Sequence, residues 1–171
     1  RLNVGGGFPS HRVVGPAPVL EDIFQRIEAA TAAAFGPDRP VLLCEPGRAM
    51  VADSFALVAR VRARRGAHDI FLNDGVYGGM AEMPLMGTID RIEIRGPDGA
   101  PRQGAREDFI LFGPTCDSLD RLPGEVRLPG DIVEEDFVLF HGMGAYSNVT
   151  TTRFNGFGRL DIVTVLGLFD A

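Results

Sequence analysis

The pattern of apolar residues changes character about a third of the way along the chain, and this change limits what the chain can fold into. Residues 2–4 are a short apolar run ending on three glycines. The stretch "APVLEDIFQRIEAATAAAF" (residues 17–35) then places Val19, Leu20, Ile23, Phe24, Ile27 and Ala30 at helical spacing, with Gly36 and Pro37 as the stop. "PVLLCE" (40–45) is a continuous apolar run of strand length, as expected for a parallel strand covered on both faces. "PGR" breaks it, and "AMVADSF" can continue as a short helix. Strand, glycine loop, helix, strand, loop is a β/α order. From Phe55 onward the chain reads differently: "FALVARVRARR", "HDIFLNDG", "DRIEIRG", "EDFILFG", "DFVLFHG" and "LDIVTVLGL" are short strands between Gly, Pro and Asp turns. That spacing predicts an antiparallel β-barrel or sandwich, with "GPDGAPRQG" (96–104) as a hairpin loop. The expected fold is therefore α/β followed by β: residues 1–53 as the end of a larger β/α body, a boundary near Asp53, and residues 54–171 as a β-domain. Two β/α units cannot close a barrel that needs eight, so the rest of that body is expected from a longer protein.

Composition narrows the classes of function. With 171 residues, 45% of them hydrophobic, the chain can bury a sizeable core. A net charge of −6 disfavours a nucleic-acid partner, and no apolar run approaches the ~20 residues that span a bilayer. Cys44 and Cys116 lie far apart without metal-ligand spacing, which predicts no metal site and a reduced, cytoplasmic setting. All 17 residues counted as Lys+Arg are arginines. Chemistry that needs a covalent lysine anchor must take that lysine from outside these residues.

Three features could carry chemistry. Gly5, Gly6 and Gly7 supply bare backbone, suited either to a tight turn or to a loop whose N–H groups cradle a phosphate. "EPGR" places Glu45 at the carboxyl end of a strand with Gly47 and Arg48 behind it; a helix-start carboxylate with a surface arginine has the same form. "GPTCDSLD" puts Cys116 beside Asp117 and Asp120, and neighbouring carboxylates do not activate a thiolate.

In order along the chain, "GGGFP", "EPGR", "GPTCDSLD" and "GAYS…RFNGF" resemble the C-terminal half of the pyridoxal-phosphate-dependent ornithine/diaminopimelate/arginine decarboxylases. These enzymes have an alanine-racemase-like (β/α) barrel of fold type III followed by a β-domain. The resemblance spans essentially the whole chain and is closest to the ornithine decarboxylases. It implies that pyridoxal 5'-phosphate is the cofactor. Glu45 would hold a proton on its ring nitrogen, while Gly5, Gly6, Gly7, Gly47, Arg48 and Tyr146 would hold its phosphate. Cys116 would protonate the substrate α-carbon after CO₂ departs, and Asp117 would pair with the distal ammonium. Tyr77 in "NDGVYGG" and Phe154 would form an aromatic wall at the interface of a homodimer with shared active sites; core packing is the alternative for both.

The implied substrate is a basic amino acid, foremost ornithine giving putrescine. Lysine, diaminopimelate and carboxynorspermidine decarboxylases, and a non-catalytic homologue regulating polyamine synthesis, are the alternatives. One departure stands out. Animal ornithine decarboxylases carry a Tyr-Asp pair where this chain has Leu85 and Met86, leaving Glu82 as the nearby acid.

Overall fold

The computed structural model describes residues 1–87 and 89–165, apart from the side chain of Met86. Most of the chain builds one six-stranded sheet from β3 (Ala56–Arg65), β4 (Asp69–Leu72), β5 (Ile92–Arg95), β6 (Arg106–Phe112), β7 (Val126–Pro129) and β8 (Phe137–His141), in the spatial order β5-β8-β3-β4-β6-β7. The edge strands β5 and β7 approach each other, so the sheet nearly closes on itself. In β3, Ala59 and Val61 point inward and are fully buried while Arg60 and Arg62 face outward, the period-two alternation of a one-sided strand. Val61, Ile70, Phe109, Leu111, Val138 and Phe140 lie in the core that this curvature encloses.

The sheet is mixed, not antiparallel as expected: β4 and β6 pair in parallel, with Ile70 opposite Leu111 and Phe71 opposite Phe112. Parallel neighbours need a long crossover, and the segment between β4 and β6 supplies it, carrying the helical turn α3 (Met83–Met86) and strand β5. The turn at 96–104 folds back on β5, where the Arg102 N–H reaches the Ile94 carbonyl at 2.9 Å. It does not pair β5 with β6, because β5 lies against β8. Strand β7 was not expected. The last expected strand fails over residues 161–165, which carry no strand pairing and leave Ile162, Val163 and Val165 exposed; its remainder lies outside the described residues.

The N-terminal segment follows the β/α order. Strands β1 (Leu2–Asn3) and β2 (Leu42–Leu43) pair in parallel, with helix α1 (Leu20–Phe35) between them and helix α2 (Gly47–Val51) after β2. The expected burial of "PVLLCE" is absent: Val41 and Leu43 are exposed, as are Phe24 and Phe35 of α1. A pair of two-residue strands has too few neighbours to cover both faces. The loop between β1 and α1 docks on the sheet instead. Arg91 donates to the His11 carbonyl and to Asp53, both at 2.6 Å, and the Val14 N–H donates to Asp90 at 2.7 Å.

Phe140, fully buried on β8 between β3 and β5, is expected to cost about 3–5 kcal/mol as Phe140→Ala, whereas exposed Val13→Ala should stay within about 0.5 kcal/mol. Urea unfolding midpoints check this; equal midpoints would contradict the assigned core.

Candidate cofactor and substrate site

Two clusters of polar and aromatic side chains contain the residues singled out in the sequence. The first lies where β1 and β2 end. Glu45 leaves β2 with its N–H on the Gly5 carbonyl at 2.8 Å, and its carboxylate accepts a hydrogen bond from Asn3 Nδ2 at 2.6 Å. The same Asn3 side chain accepts the Gly5 N–H at 2.9 Å. One asparagine thus fixes both the glycine loop and the acid. A Cβ on Gly6 would sit 2.7 Å from the Glu45 carbonyl oxygen, so this glycine is required by close approach of the two strand ends. Gly5 and Gly7 have φ of +75° and +80° with open space where a Cβ would be.

Not every proposed donor is free. The Gly47 N–H donates to the Glu45 carbonyl at 2.9 Å, and that of Gly5 is taken by Asn3. The N–H groups of Gly6 and Gly7 have no partner among the described residues. Arg48, first turn of α2, gives one Nη2 hydrogen bond to Glu82 at 2.6 Å and lies 5.0 Å over the ring of Tyr146. The rest of its fork has no hydrogen-bond partner among the described residues. Tyr146 is half exposed and has φ of +68°, a conformation uncommon outside glycine. Its carbonyl accepts the N–H groups of Val149 and Thr150 and the Thr150 hydroxyl, which hold the turn.

The second cluster is built by the loops after β4 and β6, with Phe154 and Asn155 from the segment after β8. Tyr77 donates its hydroxyl to Asp117 at 2.6 Å, and its ring lies 4.5 Å from that of Phe154. Cys116 is exposed and accepts a hydrogen bond from Asn155 Nδ2 at 3.4 Å. Beneath them, buried Asp120 accepts the N–H of Val76 at 2.9 Å with one oxygen and that of Thr115 at 3.0 Å with the other. A Cβ on Gly75 or on Gly113 would run into that carboxylate. Burial and the neighbouring Asp120 push the Asp74 carboxyl above its ordinary value, against the backbone N–H groups of Gly79 and Gly75. Among the described residues, no hydrogen bond, ion pair or ring contact joins the two clusters.

Sequence reasoning missed Asn3 and Asn155, and gave Asp120 no role. Asn3 was detectable, since an asparagine two residues before a glycine favours this local side-chain turn. Asn155 has no such signal.

A sheet that nearly closes, preceded by β/α units and carrying an arginine–tyrosine pair and a Tyr-Asp-Cys cluster, narrows the class of protein. The family model of the pyridoxal-dependent decarboxylase C-terminal sheet domain matches residues 18–144. Ornithine decarboxylase of Cricetulus griseus is 32% identical over 183 residues, covering 96% of this chain. The arginine decarboxylase of Paramecium bursaria Chlorella virus superposes with a TM-score of 0.73 at 29% identity, over 92% of this chain and 42% of that one. The lysine/ornithine decarboxylase of Vibrio vulnificus, solved with cadaverine, gives a TM-score of 0.73 at 29% identity, over 96% and 44%. The chain belongs to the ornithine/diaminopimelate/arginine decarboxylase family, whose members depend on pyridoxal phosphate. It spans 38% of the length of the Cricetulus relative.

The Tyr77 hydrogen bond, foremost, and the Leu119 N–H hold the Asp117 carboxyl below its ordinary range, and the same bond raises the Tyr77 hydroxyl. An acid depressed in this way contributes stability above its unfolded pKa, lost as pH falls through the folded value. Tyr77→Phe should therefore raise the Asp117 midpoint in an NMR carboxyl titration and shrink the stability lost on acidification. An unchanged midpoint would show that the bond is not made.

Proposed function

We propose that this chain works as the C-terminal part of a pyridoxal-phosphate-dependent decarboxylase acting on ornithine to release putrescine. Residues 1–53 would be the last units of its (β/α) barrel and residues 54–171 its sheet domain. The observation that carries the reading is the meeting of Arg48 with Tyr146, three residues after the Glu45 that fastens a glycine loop with two unpartnered N–H groups; these are donors of the kind that receive a phosphate.

The residues present fit the group. Gly6, Gly7, Arg48 and Tyr146 would hold its phosphate, with Gly5 shaping the loop and Gly47 turning the chain into α2. Glu45, oriented by Asn3, would hold a proton on the ring nitrogen. When bound, pyridoxal phosphate supplies an electron sink for the pair left on the α-carbon as CO₂ departs. Asp117, ionised through its bond to Tyr77, would bind the distal ammonium of the substrate. Cys116 would deliver a proton from Sγ to the substrate α-carbon, with Asn155 orienting the sulfur. The lysine that anchors the cofactor would come from a longer polypeptide, since these residues contain none.

The separation of the two clusters supports a homodimer, in which the Cys116-Asp117 loop of one copy completes the cofactor site of the other. Tyr77 and Phe154 would form the aromatic wall there. Lysine is the second substrate reading. Leu85 is 86% exposed and apolar where animal ornithine decarboxylases carry the tyrosine of an acidic pair, and Glu82 is taken by Arg48. Asp117 would then be the one acid for the distal amine, a looser arrangement that tolerates an extra methylene.

In the complete polypeptide, CO₂ release should be faster with ornithine than with lysine or diaminopimelate. Absence of release from any diamino acid would turn the assignment to a regulatory homologue. Cys116→Ala should lower putrescine formation by about 10²–10⁴-fold and raise the transaminated by-product, with cofactor affinity intact. An unchanged product ratio would remove Cys116 from the proton step.

A further inference from the structure

We infer that Glu82 is a positioning residue for Arg48, so that the sheet domain sets the aim of the arginine proposed to bind the cofactor phosphate. This rests on the cofactor reading above and gives Glu82 a role that the reading does not contain.

Glu82 stands at the N-terminal end of the helical turn α3, and Gly87 at its C-terminal end. Each end takes an arginine from the N-terminal segment. Glu82 Oε2 holds Arg48 Nη2 at 2.6 Å, and the Gly87 carbonyl accepts Arg12 Nη2 at 3.0 Å. Both side chains of the Arg48–Glu82 pair are mostly shielded, at 18% and 27% exposure. A planar fork with one end tied to a carboxylate and one face on an aromatic ring has lost most of its rotamer freedom before any ligand arrives. Arg12, Arg48, Glu82, Gly142 and Ser147 line one open recess. Burial and the nearby Arg48 lower the Arg12 guanidinium, and Glu82 opposes that shift, so the carboxylate sits within the field of both cations. Two guanidiniums face one carboxylate there, which leaves a net positive charge around the Arg48 fork.

The sign of the effect separates positioning from simple charge. Removing a carboxylate close to a phosphate site should tighten phosphate binding by Coulomb's law. Losing the partner that aims Arg48 should weaken it. If positioning dominates, Glu82→Gln raises the Kd for pyridoxal phosphate about tenfold, the size of one charge-assisted hydrogen bond.

The experiment measures cofactor affinity of the complete polypeptide, with pyridoxal phosphate and with pyridoxal, which lacks the phosphate. Glu82→Gln should weaken the first and leave the second unchanged, and Glu82→Asp, which keeps the charge, should recover part of the loss. The double variant Arg48→Ala/Glu82→Gln should bind no more weakly than Arg48→Ala alone. Tighter or unchanged phosphate-cofactor binding in Glu82→Gln, with Arg48→Ala clearly weakened, overturns this inference while sparing the cofactor reading. Equal loss for both ligands marks a merely structural role and overturns it too. Undiminished affinity in Arg48→Ala overturns the Arg48 assignment and this inference together. Should Glu82→Gln fail to fold, Glu82→Asp alone carries the same phosphate-against-pyridoxal comparison.

Discussion

Parallel pairing of β4 with β6 sends both strands out of the same end of the sheet, so the loops after Leu72 and Phe112 leave side by side. In an all-antiparallel sheet two neighbouring strands leave at opposite ends, and Tyr77 could not meet Asp117. Parallel exit brings the Gly75 and Gly113 backbones so close that a Cβ on Gly75 would lie 2.6 Å from the Gly113 Cα. Asp120 then bridges the loops, one oxygen to the N–H of Val76 and one to that of Thr115. A buried carboxylate is costly unless its oxygens are satisfied, and this one is satisfied only when both loops are in place. The Cys116-Asp117 pair is therefore positioned by sheet topology first and by a buried acid second.

Local periodicity made most strands visible because each buries one face: the alternation of Ala59 and Val61 with Arg60 and Arg62 states a strand without reference to its partner. Partner choice is a long-range property, so the same alternation could not reveal that β4 lies parallel to β6. Strand β7 escaped notice because "EVRLP" is short and hemmed by Gly124 and Gly130. "LDIVTV" misled for the opposite reason: it has strand composition, but Ile162, Val163 and Val165 find no neighbour among the described residues and stay exposed. Composition expresses a preference for a pleated, half-buried surface; it does not supply that surface.

The glycine motif shows a similar mixture. Its tight geometry was legible, but its cause is divided. Gly6 is bare because the Glu45 carbonyl presses against it, whereas Gly5 and Gly7 are needed for positive φ. The loop is thus a strand-end junction that leaves two N–H groups without a partner among the described residues, so a tight turn and the proposed cradle do not exclude each other. Glu45 and Arg48 were legible as a motif, but their partners Asn3 and Glu82 lie 42 and 34 residues away in sequence. No local pattern announces such pairs.

The two ends of the proposed site belong to different parts of the chain, and alignment between them is a mechanical problem. Tyr77, Cys116, Asp117 and Phe154 all sit on loops in or beyond the sheet, while Glu45 and the glycines follow directly on β2 and β1, which pair only with each other. Those short strands cannot resist displacement by themselves. Contacts to the sheet must hold them: Arg91 on His11 and Asp53, Asp90 on Val14, Glu82 on Arg48. Gly144 adds backbone contact, since a Cβ there would collide with the Val51 carbonyl at the end of α2. Arg48 is the point where docking and the proposed chemistry coincide, because the side chain that fastens the N-terminal segment is also the one proposed to bind the phosphate. Loosening that pair would shift the proposed phosphate end relative to the Cys116 loop that the proposed dimer brings from the other copy, and small misplacements of reacting groups are expensive in rate.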